Sequence, residues 1–128
     1  MKLSEYFEQA RGKGVLATAD SSGQVNAALY AKPHFIDEST VAFILAPRLT
    51  HGNLETNPYA AYIFIEDGEG FKGRRLYLTK IKEEKNSELI ATLRRKKRSV
   101  SHDEAIDEDR FLVFFRIDRV LPLVGSGA

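Results

Sequence analysis

Residues 46–58 read APRLTHGNLETNP and directly follow a run of five apolar residues, Val41 to Leu45. Within three residues the pattern changes from that of a buried strand to that of a helix. An arginine, a threonine and a histidine lie at the change. The helix is predicted over residues 51–57, because a proline such as Pro58 disfavours helical backbone in the residue before it.

The entry to this short helix is suited to an anion. The first N–H groups of a helix have no partner within the helix and carry about half a positive charge. A phosphate there would accept hydrogen bonds from the N–H groups around Gly52 and Asn53, and Arg48 would add a charge-assisted pair. The alternative is an ordinary surface turn in which Thr50 is the N-cap and Arg48 and His51 are solvated.

Two other helices are predicted, one at each side of the main body. Near the start of the chain, apolar residues at helical spacing follow Ser4, a suitable N-cap, and precede Gly12 and Gly14, which we expect to end the helix. Later in the chain, Asn86 or Ser87 is expected to cap a second helix with an apolar face.

Most of the remaining chain has the alternation of a strand. Val25, Ala27 and Leu29 alternate with Asn26 and Ala28, which is the period of two of a half-buried strand. A further strand is predicted before the turn at residues 20–23, and another, beginning at His34, before the turn at residues 37–39. Others are predicted at residues 41–45, 60–65, 74–81 and 111–117.

Six or so strands with hairpin-sized connections predict a mainly β fold. No long helix separates consecutive strands, which disfavours a parallel sheet. An antiparallel sheet that closes into a small barrel, flanked by two or three short helices, would remove its exposed edges. We expect residues 1–128 to form a single domain, since 128 residues is close to the usual domain size.

The composition excludes several classes of site. The chain has no cysteine, so disulfides, thiolate catalysis and cysteine-based metal sites are absent. Its 19 Lys and Arg nearly balance 18 Asp and Glu, giving a net charge of +1 and no general attraction for nucleic acid or an anionic membrane. With no signal-like or membrane-spanning apolar segment, we expect a soluble, cytoplasmic protein.

Two basic segments are further candidates for anion sites. The segment GEGFKGRRLYLT, residues 68–79, offers Lys72, Arg74 and Arg75 in a glycine-containing loop, either as solvated side chains or as a loop that closes over an anion bound elsewhere. The run RRKKR, Arg94 to Arg98, is followed by five acidic residues and is better explained as a solvated helix end.

The sequence contains no motif for catalysis by its own side chains. His34, His51 and His102 share no spacing typical of a metal site, and no GxSxG or HExxH motif occurs. If the protein is an enzyme, a cofactor is expected to supply the reactivity.

The order of elements resembles the pyridoxamine 5′-phosphate oxidase-related, FMN-binding split-barrel family. The resemblance covers residues 14–82 and includes GVLATAD on the first strand, VNAALYAKP on the second and THGNLETNP at the short helix. It implies a Greek-key split β-barrel that forms a homodimer, with FMN in a groove between the two chains.

The resemblance also implies which residues hold FMN. The ring would lie along the second strand and the phosphate at the entry to the short helix, while the partner chain would complete the pocket with the 68–79 loop. The implied cofactor-binding residues are Asn26, Ala27, Ala28, Leu29, Arg48, Thr50, His51, Asn53, Lys72 and Arg74, with Arg75 as a further candidate.

Two departures from the family limit what the resemblance implies. Members often have lysine or arginine where this chain has Thr50 and His51, so Arg48 or a partner lysine would have to compensate. True pyridoxamine 5′-phosphate oxidases also have a C-terminal tail whose arginine and histidine grip the substrate, and this chain ends DRVLPLVGSGA.

The functional hypothesis is therefore an FMN-dependent oxidoreductase that exchanges hydride or electrons with a small substrate, but not a true pyridoxamine 5′-phosphate oxidase. The alternatives are the same fold with a deazaflavin or haem in the groove, or a cofactor-free barrel that serves as a ligand-binding or interaction module. No metal site is expected.

Overall fold

A computed structural model describes residues 1–97 and 109–125 of the chain. The elements in chain order are α1 (Leu3–Gln9), β1 (Gly12–Ala19), β2 (Val25–Tyr30), β3 (His34–Asp37), β4 (Thr40–Leu45), α2 (Leu49–Thr56), β5 (Tyr59–Glu66), β6 (Gly73–Lys85), α3 (Glu88–Lys97) and β7 (Phe111–Pro122). None of the described helices is long and apolar enough to cross a membrane.

The described strands form one antiparallel sheet in the order β2-β1-β5-β6-β7-β4-β3. The two edge strands, β2 and β3, are joined by only three residues, Ala31 to Pro33. Such a linker spans at most about 14 Å, so the sheet must curl until its two edges approach each other. This confirms the mainly β split barrel, with seven strands instead of six and without closure between β2 and β3.

The barrel interior is filled by large apolar side chains from alternate positions of the strands. Leu16, Tyr62, Phe64, Leu76 and Phe115 are each fully buried. Helix α1 covers one end of the barrel and inserts Phe7, whose ring contacts those of Phe35, Tyr62 and Phe64. The alternation seen in the sequence therefore gives one continuous core.

A second, smaller cluster lies on the outside of the sheet. Ile90 and Leu93 of α3 pack against Ala42 of β4 and against Leu112 and Phe114 of β7. Strand β4 and the first half of β7 are thus buried on both faces, which explains why residues 40–45 and 111–115 are nearly continuous apolar runs.

The first helix differs from its prediction at both ends. Its N-cap is Lys2 and not Ser4, and the backbone N–H of Lys2 donates to the Glu5 carboxylate at 2.9 Å. The helix ends at Gln9, so Gly12 and Gly14 lie inside β1. A Cβ at Gly14 would lie 1.8 Å from the Tyr62 hydroxyl, so glycine is needed there for close packing and not to end a helix.

The other two helices also begin at positions that refine the predictions. Helix α2 starts at Leu49 with Arg48 as its N-cap residue, so Thr50 lies within the first turn and does not cap it. Helix α3 is capped by Ser87, whose hydroxyl accepts a hydrogen bond from the Leu89 N–H at 3.2 Å, while Asn86 precedes it with a φ of 51°.

Candidate functional site

The entry to α2 begins at Arg48, which is the N-cap residue of the helix. Arg48 is extended, with φ −124° and ψ −165°, and its side chain makes no capping hydrogen bond. The first turn contains no acidic residue. Arg48 and Leu49 are exposed, so the positive end of the helix dipole is open to solvent. These features favour an anion at this entry.

The buried side of α2 consists of Leu54 and three polar residues, two of which join the helix to the first two strands. The Asn26 amide on β2 donates to the Thr50 hydroxyl at 3.2 Å, and the Asn53 amide donates to the Thr18 hydroxyl on β1 at 3.0 Å. Thr18, Thr50 and Asn53 are at most 5% exposed. The structure therefore brings the second strand and the helix entry together, while the Asn53 side chain faces the barrel and not the solvent.

His51 is buried against β6 and β7. Its Nε2 lies 3.1 and 3.2 Å from the two carboxylate oxygens of Glu83, and its ring stacks on Phe111 at a centroid distance of 3.7 Å and an angle of 16°. Because an ionised carboxylate can only accept, Nε2 donates to Glu83. His51 was predicted to contact the phosphate, but its ring points into the protein interior.

Glu83 also forms an ion pair with Lys80, whose Nζ lies 2.7 Å from Oε1. Burial disfavours the charged carboxylate, but the hydrogen bonds from Lys80 and His51 outweigh this effect and hold the pKa of Glu83 below its ordinary value. Sequence reasoning missed Lys80, Glu83 and Phe111, and no motif in the sequence marks them.

The exposed face of β2 carries apolar side chains. Asn26, Ala28 and Tyr30 point toward the barrel, whereas Val25 and Leu29 are 80% and 73% exposed on the other side with Ala27 between them. Neighbouring strands continue this surface through directly paired positions. We define the apolar outer face as Val15, Ala17, Val25, Ala27, Leu29, Ala61, Ile63 and Tyr77.

The basic loop lies at the other end of the same strands. Arg74 pairs with Phe64, whereas α2 contacts β1 at Thr18, which pairs with Ala60. Four residues along β5 correspond to about 13 Å, so one chain does not bring Lys72 and Arg74 to the entry of α2.

Arg74 and Arg75 lie in β6 and not in the predicted loop, and both are held by contacts of their own. The Arg74 guanidinium lies 4.0 Å from the centre of the Tyr6 ring, and Arg75 Nε donates to the Pro122 carbonyl at 2.9 Å. Burial, together with a hydrogen bond to Glu66, raises the pKa of Tyr6 to about 12. Lys72, by contrast, is exposed.

Two surface cavities lie away from the entry of α2. One of about 530 Å³ is bounded by α1, the start of β3 and α3, and includes Glu8, Lys32 and His34. Lys32 Nζ donates to the carbonyls of Phe7 and Ala10 at 2.7 and 2.9 Å and so stabilises the end of α1. The other, of about 320 Å³, lies beside Leu29 at the end of the apolar outer face.

Some sequence predictions fall outside this description. His102, Arg98 and most of the acidic stretch after it lie outside the described residues. Within 1–97 and 109–125, no group of three or more potential metal ligands is found.

No family model matches the chain, and a search of curated proteins finds no match. Solved structures do match. An FMN-binding protein from Syntrophomonas wolfei subsp. wolfei has a TM-score of 0.78 and 16% identity, over 97% of this chain and 85% of its own. A candidate pyridoxamine 5′-phosphate oxidase from Lactobacillus delbrueckii has a TM-score of 0.66 and 14% identity, over 91% and 88%.

A third structure with this fold is HutZ, a haem storage protein from Vibrio cholerae. Its TM-score is 0.67 and its identity 20%, over the whole of both chains. Similarity at these identities is similarity of fold, and proteins with one fold can bind different cofactors. The chain has the split-barrel fold shared by the pyridoxamine 5′-phosphate oxidase-like proteins.

Proposed function

We propose that this protein binds FMN as a homodimer and transfers hydride or electrons to or from a small substrate. The observation that carries the proposal is the entry of α2, which is not capped by the Arg48 side chain and has no acidic residue in its first turn. The hydrogen bond from Asn26 to Thr50 joins this entry to β2. An anion-binding helix end thus lies beside a strand with an exposed apolar face.

The residues present fit the two chemically different parts of FMN. The phosphate would accept from the first N–H groups of α2 and pair with the guanidinium of Arg48. Gly52 offers close approach, since a Cβ built there meets nothing within 4 Å. The flat apolar ring would lie along the outer side of β2, where Ala27 is small and exposed. When bound, FMN supplies the redox chemistry.

The apolar outer face supports a homodimer. Val25 and Leu29 are mostly exposed on β2, which among the described strands pairs with β1 alone. Exposed apolar side chains that are clustered in this way are typical of an interface. In a two-fold interface the same face meets itself, so opposite ends of one face can be brought together. Lys72 would reach a phosphate only from the partner in this way. Arg74 pairs with the core residue Phe64 and lies over the Tyr6 ring, so it is less well placed for this role.

Haem is less well supported by the described residues. Haem proteins usually hold the iron through a side chain such as histidine. His51 is engaged by Glu83, and His34 lines the cavity between α1 and α3. Neither of these two histidines is on the apolar outer face. A deazaflavin would use the same surfaces as FMN. The binding experiment described next distinguishes the two cofactors.

The experiment is a binding test on the purified protein. Absorbance is recorded before and after adding FMN, a deazaflavin or haem in turn, and affinity is measured by the quenching of flavin fluorescence. We expect saturable FMN binding at one FMN per chain, with weaker binding of the other two. A protein that ignores FMN but binds another chromophore, or binds none of the three, would contradict the proposal.

A further inference from the structure

The contacts around α2 suggest how its first turn is held in place. The helix has only eight residues and includes Gly52, so its own sequence gives it little stability. Its order must come from contacts with the sheet. Two of these contacts, from His51 and from the Leu54 carbonyl, converge on a single pair of charges on β6.

That pair holds both ends of the helix. Glu83 accepts from His51 in the first turn, and Lys80 Nζ lies 3.4 Å from the Leu54 carbonyl in the last turn. Lys80 and Glu83 also bind each other at 2.7 Å. The side chains of Lys80 and Glu83 are 16% and 27% exposed, so solvent screens these contacts only partly.

A bulge in β6 makes this arrangement possible. Residues three apart on a regular strand point to opposite faces. Here Lys80 pairs with Phe115 and Lys82 with Phe114, so Ile81 is an extra residue in the ladder and is 50% exposed. The bulge therefore returns Glu83 to the same face as Lys80, toward α2.

We infer that Glu83 is a positioning residue for the anion site: through His51 it fixes the first turn of α2, whose N–H groups would bind the phosphate. The inference rests on the proposed function for the identity of the ligand. Glu83 acts through His51 and does not touch the phosphate itself. Without it, the buried His51 Nε2 loses its acceptor and Lys80 loses its carboxylate partner, and the first turn becomes less ordered before the ligand arrives.

The test compares Glu83→Ala with Glu84→Ala. Glu84 is the next residue on β6, and its carboxylate pairs with Lys82 instead, so this control removes the same charge from the same strand. Amide hydrogen exchange of residues 49–52 is measured without ligand, and FMN affinity is measured by fluorescence. We expect Glu83→Ala to exchange at least tenfold faster at these amides and to bind FMN at least tenfold more weakly than the control.

The outcomes separate the inference from the proposed function. Equal exchange in the two variants, or equal FMN affinity, would overturn the inference. If wild-type protein binds no FMN, the proposed function fails, and the exchange measurement still decides whether Glu83 orders α2. Should Glu83→Ala not fold, Glu83→Gln replaces it. That variant must still weaken FMN binding relative to Glu84→Gln, and equal affinities would again overturn the inference.

Discussion

Single residues decide whether the entry of α2 can receive an anion. Arg48 is the N-cap residue and is exposed, and no carboxylate occupies the first turn. Thr50, which sequence reasoning placed at the cap, instead accepts from Asn26 and joins the helix to β2. The threonine hydroxyl therefore leaves the first N–H groups available.

Arg48→Ala should weaken FMN binding by about tenfold or more, because a hydrogen bond to a charged group contributes about 1.5–3 kcal/mol. Fluorescence titration of both proteins measures the effect, and the fold should stay intact. Arg11→Ala is the matched control, since Arg11 is also exposed but precedes β1 at the other end of the strands. Equal affinities in the Arg48 and Arg11 variants would remove Arg48 from the site.

Two glycines should respond in opposite ways to alanine. Gly14→Ala places a Cβ 1.8 Å from the buried Tyr62 hydroxyl and should lower the free energy of unfolding by about 1–3 kcal/mol or more. Gly52→Ala meets nothing within 4 Å inside α2 and should raise it by about 0.5–1 kcal/mol. Chemical denaturation without ligand tests both.

Gly52→Ala also tests the proposed approach of phosphate to the backbone. If FMN lies against this turn, the added methyl group should weaken FMN binding although it stabilises the helix. A variant that is more stable and binds FMN as well as wild type would show that the phosphate does not approach Gly52.

At the level of elements, α2 depends on the sheet for its stability. It packs on β1 and β2 through polar side chains and on β6 through the Glu83 carboxylate. Because the pKa of Glu83 is lowered in the folded protein, its stabilising effect is complete above its ordinary pKa of 4.5. The effect is lost as the pH falls from there through the folded pKa.

Glu83→Gln should therefore lose less stability than wild type on acidification. Unfolding by urea at pH 7 and at successive values below 4.5 measures the difference, which should shrink as the pH falls. Glu55→Gln, on the exposed side of α2, is the control and should follow wild type. Parallel pH curves for wild type and Glu83→Gln would contradict this linkage.

At the level of the whole molecule, the outer surface of the sheet is covered on one side and exposed on the other. Helix α3 covers β4 and β7, whereas the apolar outer face on β1, β2, β5 and β6 includes side chains that are largely exposed. This asymmetry fits a subunit whose second exterior is buried by a copy of the same chain.

Leu29→Asp should disrupt the dimer, because a charge would be buried in an apolar interface. Light scattering should give about twice the chain mass of 14.4 kDa for wild type and a single chain for the variant. Ile36→Asp is the control, since Ile36 is exposed on the other edge strand, β3. A wild-type monomer, or a Leu29→Asp dimer, would exclude this face as the interface.

The sequence by itself determined the kind of fold. The alternation of apolar residues, the hairpin-sized connections and the change from a strand pattern to a helix pattern after Leu45 predicted an antiparallel β fold with short helices. This fold is confirmed. They are local signals, set by side-chain period and by turn residues, so they can be read from neighbouring positions. The N-cap residues were harder to predict, because several neighbouring residues can cap a helix. Ser4 and Thr50 were predicted as N-caps, but the helices begin after Lys2 and Arg48.

Only the tertiary structure decided which faces are covered and which side chains meet. The alternation of Asn26 with Val25 and Ala27 defines two faces of β2 but does not say that the apolar one points outward. The meeting of His51 with Glu83 depends on a bulge at Ile81, which reverses the face of every later residue on β6. A shift of one residue in strand register moves every later side chain to the opposite face of the sheet but does not change the composition of the strand. It therefore leaves no local pattern in the sequence.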